Sequence, residues 1–205
     1  MMKQFKLSQQ KTGLVVIAHP DDETIWLAGL ILLSPKINWT VLCLSRSGDA
    51  DRAPKFKQVA KKLNFKYYHE DLDDMEKFSF QKHVHLAKNL ITKNIGTASF
   101  DFIITHGSNG EYGHRDHKSI HEAVCDLLIH SKLNIPTALF LHYKKPHKKI
   151  PLLIPRSKAD LIIKLPSKIF KTKIDIMSKI YGFDSNGIDA SYCTRVEAFK
   201  IKRYN

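Results

Sequence analysis

The run Leu14–Leu33, LVVIAHPDDETIWLAGLILL, constrains the fold more than any other stretch. Its apolar start, Leu14 to Ala18, follows Gly13 and reads as a buried strand. From Thr24 to Leu33 the chain is apolar-rich and helical in character. The joint between them is His19-Pro20-Asp21-Asp22-Glu23. It suits a helix start, because proline is tolerated in the first turn and acids complement the positive end of the helix dipole. Polar groups where a parallel strand hands over to a helix lie on the crevice side of an open α/β sheet, where ligands bind.

The rest of the chain repeats this alternation. Thr40–Ser45 reads as a second strand ending in the turn-rich Arg46-Ser47-Gly48-Asp49. Lys55–Leu63 reads as a helix with Phe56, Val59, Ala60 and Leu63 on one face, and Phe65–His69 as a short third strand. Asp71–Asp74 is expected to be a loop facing the crevice. Phe80–Ile95 is a predicted helix, Phe100–Thr105 a fourth buried strand, and His106–Asp116 the loop after it. His117–His130 is predicted helical, and Ala138–His142 a strand. Lys144–Pro155, basic and with three prolines, is expected to be a mobile loop. Asp160–Leu165 reads as a strand, Ser167 as the cap of a helix to Tyr181, and Val196–Ile201 as a last strand at an antiparallel edge. The pattern specifies a single-domain, Rossmann-like α/β fold: an open, mostly parallel sheet with helices on both faces. No repeat or linker interrupts it, so residues 1–205 are expected to form one domain with a sizeable core.

His19 and Asp22 stand three apart, a spacing that brings an imidazole and a carboxylate to one ion. His114 and His117, in Gly110-Glu111-Tyr112-Gly113-His114-Arg115-Asp116-His117, are again three apart. Both groups follow apolar strands, and in a parallel sheet the strands' C-terminal ends share one edge. His19, Asp22 and His117 plus water make a ligand set of the open, catalytic zinc kind. Two imidazoles favour zinc over magnesium, and another divalent ion fits the same donors. Asp21 points away from that ion and is the expected general base toward a water on it, its alternative being a plain helix-start acid. His114 is expected to meet the developing oxyanion and to act as acid to the leaving amine, which asks for a raised pKa. Asp116 either raises it or orients a different ligand.

AHPDDE in a strand-to-helix turn with GHRDH further on resembles the LmbE-like, or PIG-L, zinc-dependent de-N-acetylases. Arg52, Ala60 and Leu63 match that family's RxxExxxxAxxLG segment, and Glu197-Ala198-Phe199 an EAF-type stretch near the end of its bacterial members. Lys55 stands where the family has Glu, and Asn64 where it has Gly. The resemblance implies hydrolysis of an N-acetyl group on an amino sugar or an N-acetylglucosamine-type conjugate. It also implies a tyrosine, Tyr112, that reaches the reacting carbonyl, the alternative being ordinary loop packing. Arg52 is a candidate substrate-binding residue or a surface salt bridge. Glu23 is read as structural, and His106 as lining the pocket without ligating. His69, His83, His85, His121, His130, His142 and His147 are read as packing or surface residues.

The net charge is +13. From Lys132 onward there are 16 basic and 5 acidic residues, an asymmetry that suits an anionic substrate or surface. Only six of the 33 basic residues are arginines, so bidentate readers of phosphate and base edges are scarce and no nucleic-acid partner is expected. Three scattered cysteines, no apolar leader and no bilayer-length apolar run suit a cytoplasmic protein, with a homo-oligomer left open. The rival readings are a metal-dependent amidase on a non-sugar N-acyl compound, and a basic polyanion- or membrane-binding protein with a vestigial site.

Overall fold

The computed structural model describes residues 6–74, 77–145, 153–184 and 187–204. Seven strands form the main sheet: β1 Thr12–Ile17, β2 Asn38–Cys43, β3 Lys66–His69, β4 Phe102–Thr105, β5 Thr137–Leu141, β8 Leu161–Lys164 and β9 Val196–Arg203. Two more, β6 Tyr143–Lys144 and β7 Ile154–Pro155, pair antiparallel beside it. Helices are α1 Asp22–Leu33, α2 Arg52–Leu63, α3 Phe80–Ile95, α4 Gly110–Gly113, α5 Arg115–Ile129, α6 Ser167–Ile176 and α7 Ile188–Ser191. A π-turn, Met177–Tyr181, continues α6.

The sheet runs β3-β2-β1-β4-β5-β9-β8, parallel from β3 to β5. Strand order reverses between β1 and β4, and at such a switch point the connections diverge and leave a crevice above the strand ends. Both histidine motifs follow these two strands. Alternation along β1 divides the core, since successive side chains point to opposite faces. Val15 and Ile17 pack with Trp26, Phe56 and Phe199, while Leu14 and Val16 pack with Val84, Ile91, Ile120 and Val124. Helices therefore cover both faces, as the alternation of patterns predicts. Cys43, Cys125 and Cys193 are unpaired. Among the described residues no helix is long and apolar enough to cross a membrane.

Helix α1 is buried from Asp22 to Ile31, and a charged pair enters it. Glu197 accepts the Gly29 and Leu30 backbone N–H groups at 3.0 and 2.7 Å, and Lys173 Nζ at 2.8 Å. A Cβ on Gly29 would lie 2.3 Å from Leu165 and 2.8 Å from Glu197 Oε1, so only glycine admits the carboxylate there.

Several expectations need correction. Strand β9 is antiparallel but interior, because β8 pairs along its other side. Ser167 is the first helical residue and not its cap; Pro166 precedes it, with no side-chain cap bond. The segment 106–116 is not all loop: α4 gives one turn, and α5 begins at Arg115 behind an N-cap at His114. Residues 144 and 154–155 are strand, while the expected mobility of 146–152 lies outside the described residues. Asn64, at the family's glycine position, closes α2 in the left-handed region at φ 56°, which asparagine tolerates better than other side chains do.

Candidate active site

At the switch point the turn after β1 is strained. Asp21 has φ 121°, a setting that costs a non-glycine residue roughly 1–3 kcal/mol and persists only when its surroundings over-determine it. Here they do. Asp21 N–H donates to Glu23 Oε2 at 3.0 Å, and Glu23 Oε1 accepts from Thr24 Oγ1 and from Tyr181 OH at 2.6 and 2.8 Å. Glu23 is fully buried and structural, as expected. Asp22, opening α1, accepts the His19 N–H and the Trp26 indole N–H, each at 2.9 Å.

The second motif folds onto the first. Asp22 Oδ2 lies 3.6 Å from His19 Nδ1, and Asp22 Oδ1 lies 3.5 Å from His117 Nε2. The His19 and His117 ring centres are 5.5 Å apart. Behind each imidazole stands a carboxylate. Glu111 Oε2 takes the His117 Nδ1 hydrogen at 2.5 Å, and Asp116 Oδ2 lies 3.4 Å from His19 Nε2. Such backing fixes the ring orientation and leaves the opposite nitrogen lone pair facing forward. Among the described residues His117 Nε2 is one of three buried side-chain polar atoms without a hydrogen-bond partner. A buried orphan acceptor beside a carboxylate and a second imidazole fits a divalent cation.

Electrostatics favour the same occupant. Burial acts to lower the His19 pKa, yet Asp116 and Asp22 outweigh it and push it up to about 10. The acids around His19 thus call for positive charge. Burial acts to raise Asp22, and His117 and His106 overcome it and hold the carboxyl well below the usual range.

Lone-pair accounting separates the ligands from their neighbours. The donor atoms fall into two compact groups, His19 with His114 and His117, and Asp22 with His106 and His117, and the His106 ring stacks on His117 at 3.8 Å. Its Nε2 already accepts the Ala18 N–H at 3.0 Å, and its Nδ1 faces Glu111 Oε2. It therefore lines the site without a nitrogen to offer. His114 packs on the other side of His117 at 4.5 Å. Its Nδ1 accepts the Asp116 N–H at 3.2 Å, so its hydrogen sits on Nε2. The expected raised pKa of His114 is wrong: burial, with His117 and His19 beside it, pulls the ring down to about 4. Asp116 acts to raise it and is outweighed; its carboxylate turns to His19, the alternative of orienting another imidazole.

Asp21 is pushed up to about 8 by burial and by Asp22, against the pull of His19 and Arg52. Its carboxylate is not unbound. Arg52 Nη1 donates to Asp21 Oδ2 at 2.9 Å, and the guanidinium lies 4.6 Å over the Phe183 ring. Lys55, in the family's Glu position, instead reaches Asp51 and the Tyr181 carbonyl, at 2.7 and 2.8 Å. A cleft of about 170 Å³ brings together His19, Asp21, Asp22, Arg52, Tyr112 and His114, with Trp26, Arg46, Asp189 and Tyr192 completing its walls. Tyr112 stacks on Tyr192 at 4.7 Å.

A model of the PIG-L family, described as GlcNAc-PI de-N-acetylase, matches residues 14–128, more than half of the chain and both histidine motifs. The chain belongs to the PIG-L family. An uncharacterized protein, L374, of Acanthamoeba polyphaga mimivirus is 24% identical over 186 residues, covering 83% of this chain and 75% of its own. Among solved structures, N,N'-diacetylchitobiose deacetylase of Pyrococcus horikoshii matches with TM-score 0.68 at 15% identity, covering 97% of this PIG-L protein and 88% of its own chain. The A40926 pseudoaglycone deacetylase Dbv21 matches at 0.69 and 13%, covering 96% and 99%. The 4-carboxy-2-hydroxymuconate hydratase GalB of Pseudomonas putida matches at 0.63 and 14%, covering 94% and 95%. These likenesses show the fold. A hydratase shares it with deacetylases, so the side chains of this PIG-L member must choose the reaction.

Sequence reasoning assigned no role to Glu111 and denied His106 only ligation. Glu111 holds both His106 and His117, and its φ of 54° is a second strained setting. The available signal was its place between Gly110 and Gly113, both at positive φ, in a turn tight enough to face one side chain inward.

Proposed function

We propose that this PIG-L protein is a zinc-dependent hydrolase that removes an N-acetyl group from an amino sugar or an N-acetylglucosamine-type conjugate, releasing acetate. The observation that carries the reading is the forward-facing, unpartnered His117 Nε2 beside Asp22 and His19, with Asp21 next to the group but outside it. His19, Asp22 and His117 would hold the zinc. When bound, zinc supplies Lewis acidity toward an amide carbonyl and toward water.

The remaining work falls to the chain's own groups. Asp21, held as a carboxylate beside the Arg52 guanidinium, takes a proton from water as the oxygen adds to the acyl carbon. His114, neutral and with hydrogen on Nε2, donates to the carbonyl oxygen as charge develops there, beside Tyr112. When the carbon–nitrogen bond breaks, Asp21 returns the proton to the amine. Arg52 acts here on Asp21 and, lining the cleft, also faces the substrate. The Lys-rich part from Lys132 onward attracts an anionic conjugate, so activity on one falls with added salt.

Metal analysis of the purified protein, coupled to acetate release from a panel of N-acetyl sugars and non-sugar N-acyl amines, tests the assignment. Asp21→Ala should keep the zinc and lose about 10²–10⁴-fold in turnover. Full turnover in that variant breaks the mechanism, and release from non-sugar amides alone breaks the substrate class.

A further inference from the structure

Opposite the cleft, Asp116 is held from behind by a residue that the reaction does not touch. His83 projects from α3 and is 1% exposed. Both of its nitrogens are engaged. Nδ1 lies 2.7 Å from Ser119 Oγ, and Nε2 lies 2.9 Å from the Asp73 carbonyl. Ser119 Oγ in turn donates to the Asp116 carbonyl at 2.9 Å. His83 Nε2 is also 3.7 Å from Asp116 Oδ1, which is itself buried and without a hydrogen-bond partner. Arg115 closes the same spot. Its Nη2 donates to the Phe78 carbonyl, while Nη1, again buried and unpartnered, stands 3.7 Å from Asp116 Oδ1. Asp116 Oδ2 faces the other way, 3.4 Å from His19 Nε2.

We propose that His83 is a positioning residue of the metal centre, fixing Asp116, which in turn fixes His19. The inference rests on the proposed zinc site. A carboxylate in the first turn of a helix has rotamers to choose from, and the one adopted aims Oδ2 at His19. The Ser119 link pins the backbone of that turn. The polar wall of His83 and Arg115 gives Oδ1 a favourable place and so selects the rotamer that leaves Oδ2 for the ligand. Outer partners of metal ligands set ring orientation and basicity, and removing one typically costs 10–100-fold in metal affinity. Nothing in the spacing of the chain points to His83, because its link to the site runs through three elements.

Zinc affinity, measured by chelator competition on the full chain, separates positioning from general support of the fold. His83→Leu should weaken zinc about 10-fold or more, Asp116→Asn by at least as much. The double variant should bind no more weakly than Asp116→Asn alone, because the two act through one path. His83→Gln, which keeps an amide N–H for the Asp73 carbonyl, should recover part of the loss. Should His83→Leu fail to fold, Ser119→Ala removes the Nδ1 partner more gently and should weaken zinc several-fold. Wild-type affinity in both His83→Leu and Ser119→Ala, or additive losses with Asp116→Asn, overturns this inference alone. A wild-type chain that takes up no zinc overturns the proposed function and this inference with it.

Discussion

The two ends of the sheet carry cavities of opposite character. Over the N-terminal ends of the strands lies the larger, about 630 Å³, walled by Trp39, Phe65, Tyr68, Phe100 and several asparagines. Over the C-terminal ends lies one of about 170 Å³, crowded with His19, Asp21, Asp22 and His114. The larger has room and no cluster of titratable groups. The smaller has six carboxylates and four imidazoles in or against it, and three non-glycine residues at positive φ, Asp21, Arg46 and Glu111. Reactivity follows the crowding, since burial and neighbouring charge are what move pKa values and strip solvent from reacting groups. Volume is a poor guide to which end works.

Removing metal should produce the largest contrast between the ends. Chelation, or His117→Ala, should take acetate release to background while leaving the N-terminal cavity intact; activity that persists would detach the reaction from the proposed ligands. Next comes Glu111→Gln, which weakens the hold on His117. Zinc affinity should fall about 10–100-fold, read by chelator competition. An unchanged affinity would show that the buried carboxylate shapes the turn alone. Smallest is Asn38→Ala, exposed at the rim of the N-terminal cavity. Thermal unfolding should report a change within about 0.5 kcal/mol, with turnover unaltered. A loss of turnover there would mean that the two ends are coupled.

Much of this was legible in the chain. Apolar runs between turn residues located β1, β2 and β4, and the period of α3 gave Phe80–Ile95 to the residue. Spacing of three in each motif pointed to His19, Asp22, His114 and His117 meeting at one edge, because strand-end geometry turns a local spacing into a shared edge. What stayed hidden depends on distant pairing. The interior place of β9 is decided by β5 and β8 on either side, and no local pattern in Val196–Arg203 records that. The low pKa of His114 comes from burial and from His117 and His19. A carboxylate two residues away does pull the other way, but the chain alone does not record the burial and the two imidazoles that outweigh it. The Arg52–Asp21 pair joins residues 31 apart, and no local pattern records it.

The backbone at Asp21 has an evolutionary consequence. Glycine would adopt φ 121° without penalty, relaxing the turn by roughly 1–3 kcal/mol, but it would delete the carboxyl group. Most other residues would keep the tension and lose the acid as well, and glutamate would keep an acid one methylene further from the backbone. Heat tolerance and the proposed base chemistry therefore pull this codon in opposite directions. A campaign that selected this protein for robustness alone would find one of its easiest gains at the position of that proposed base.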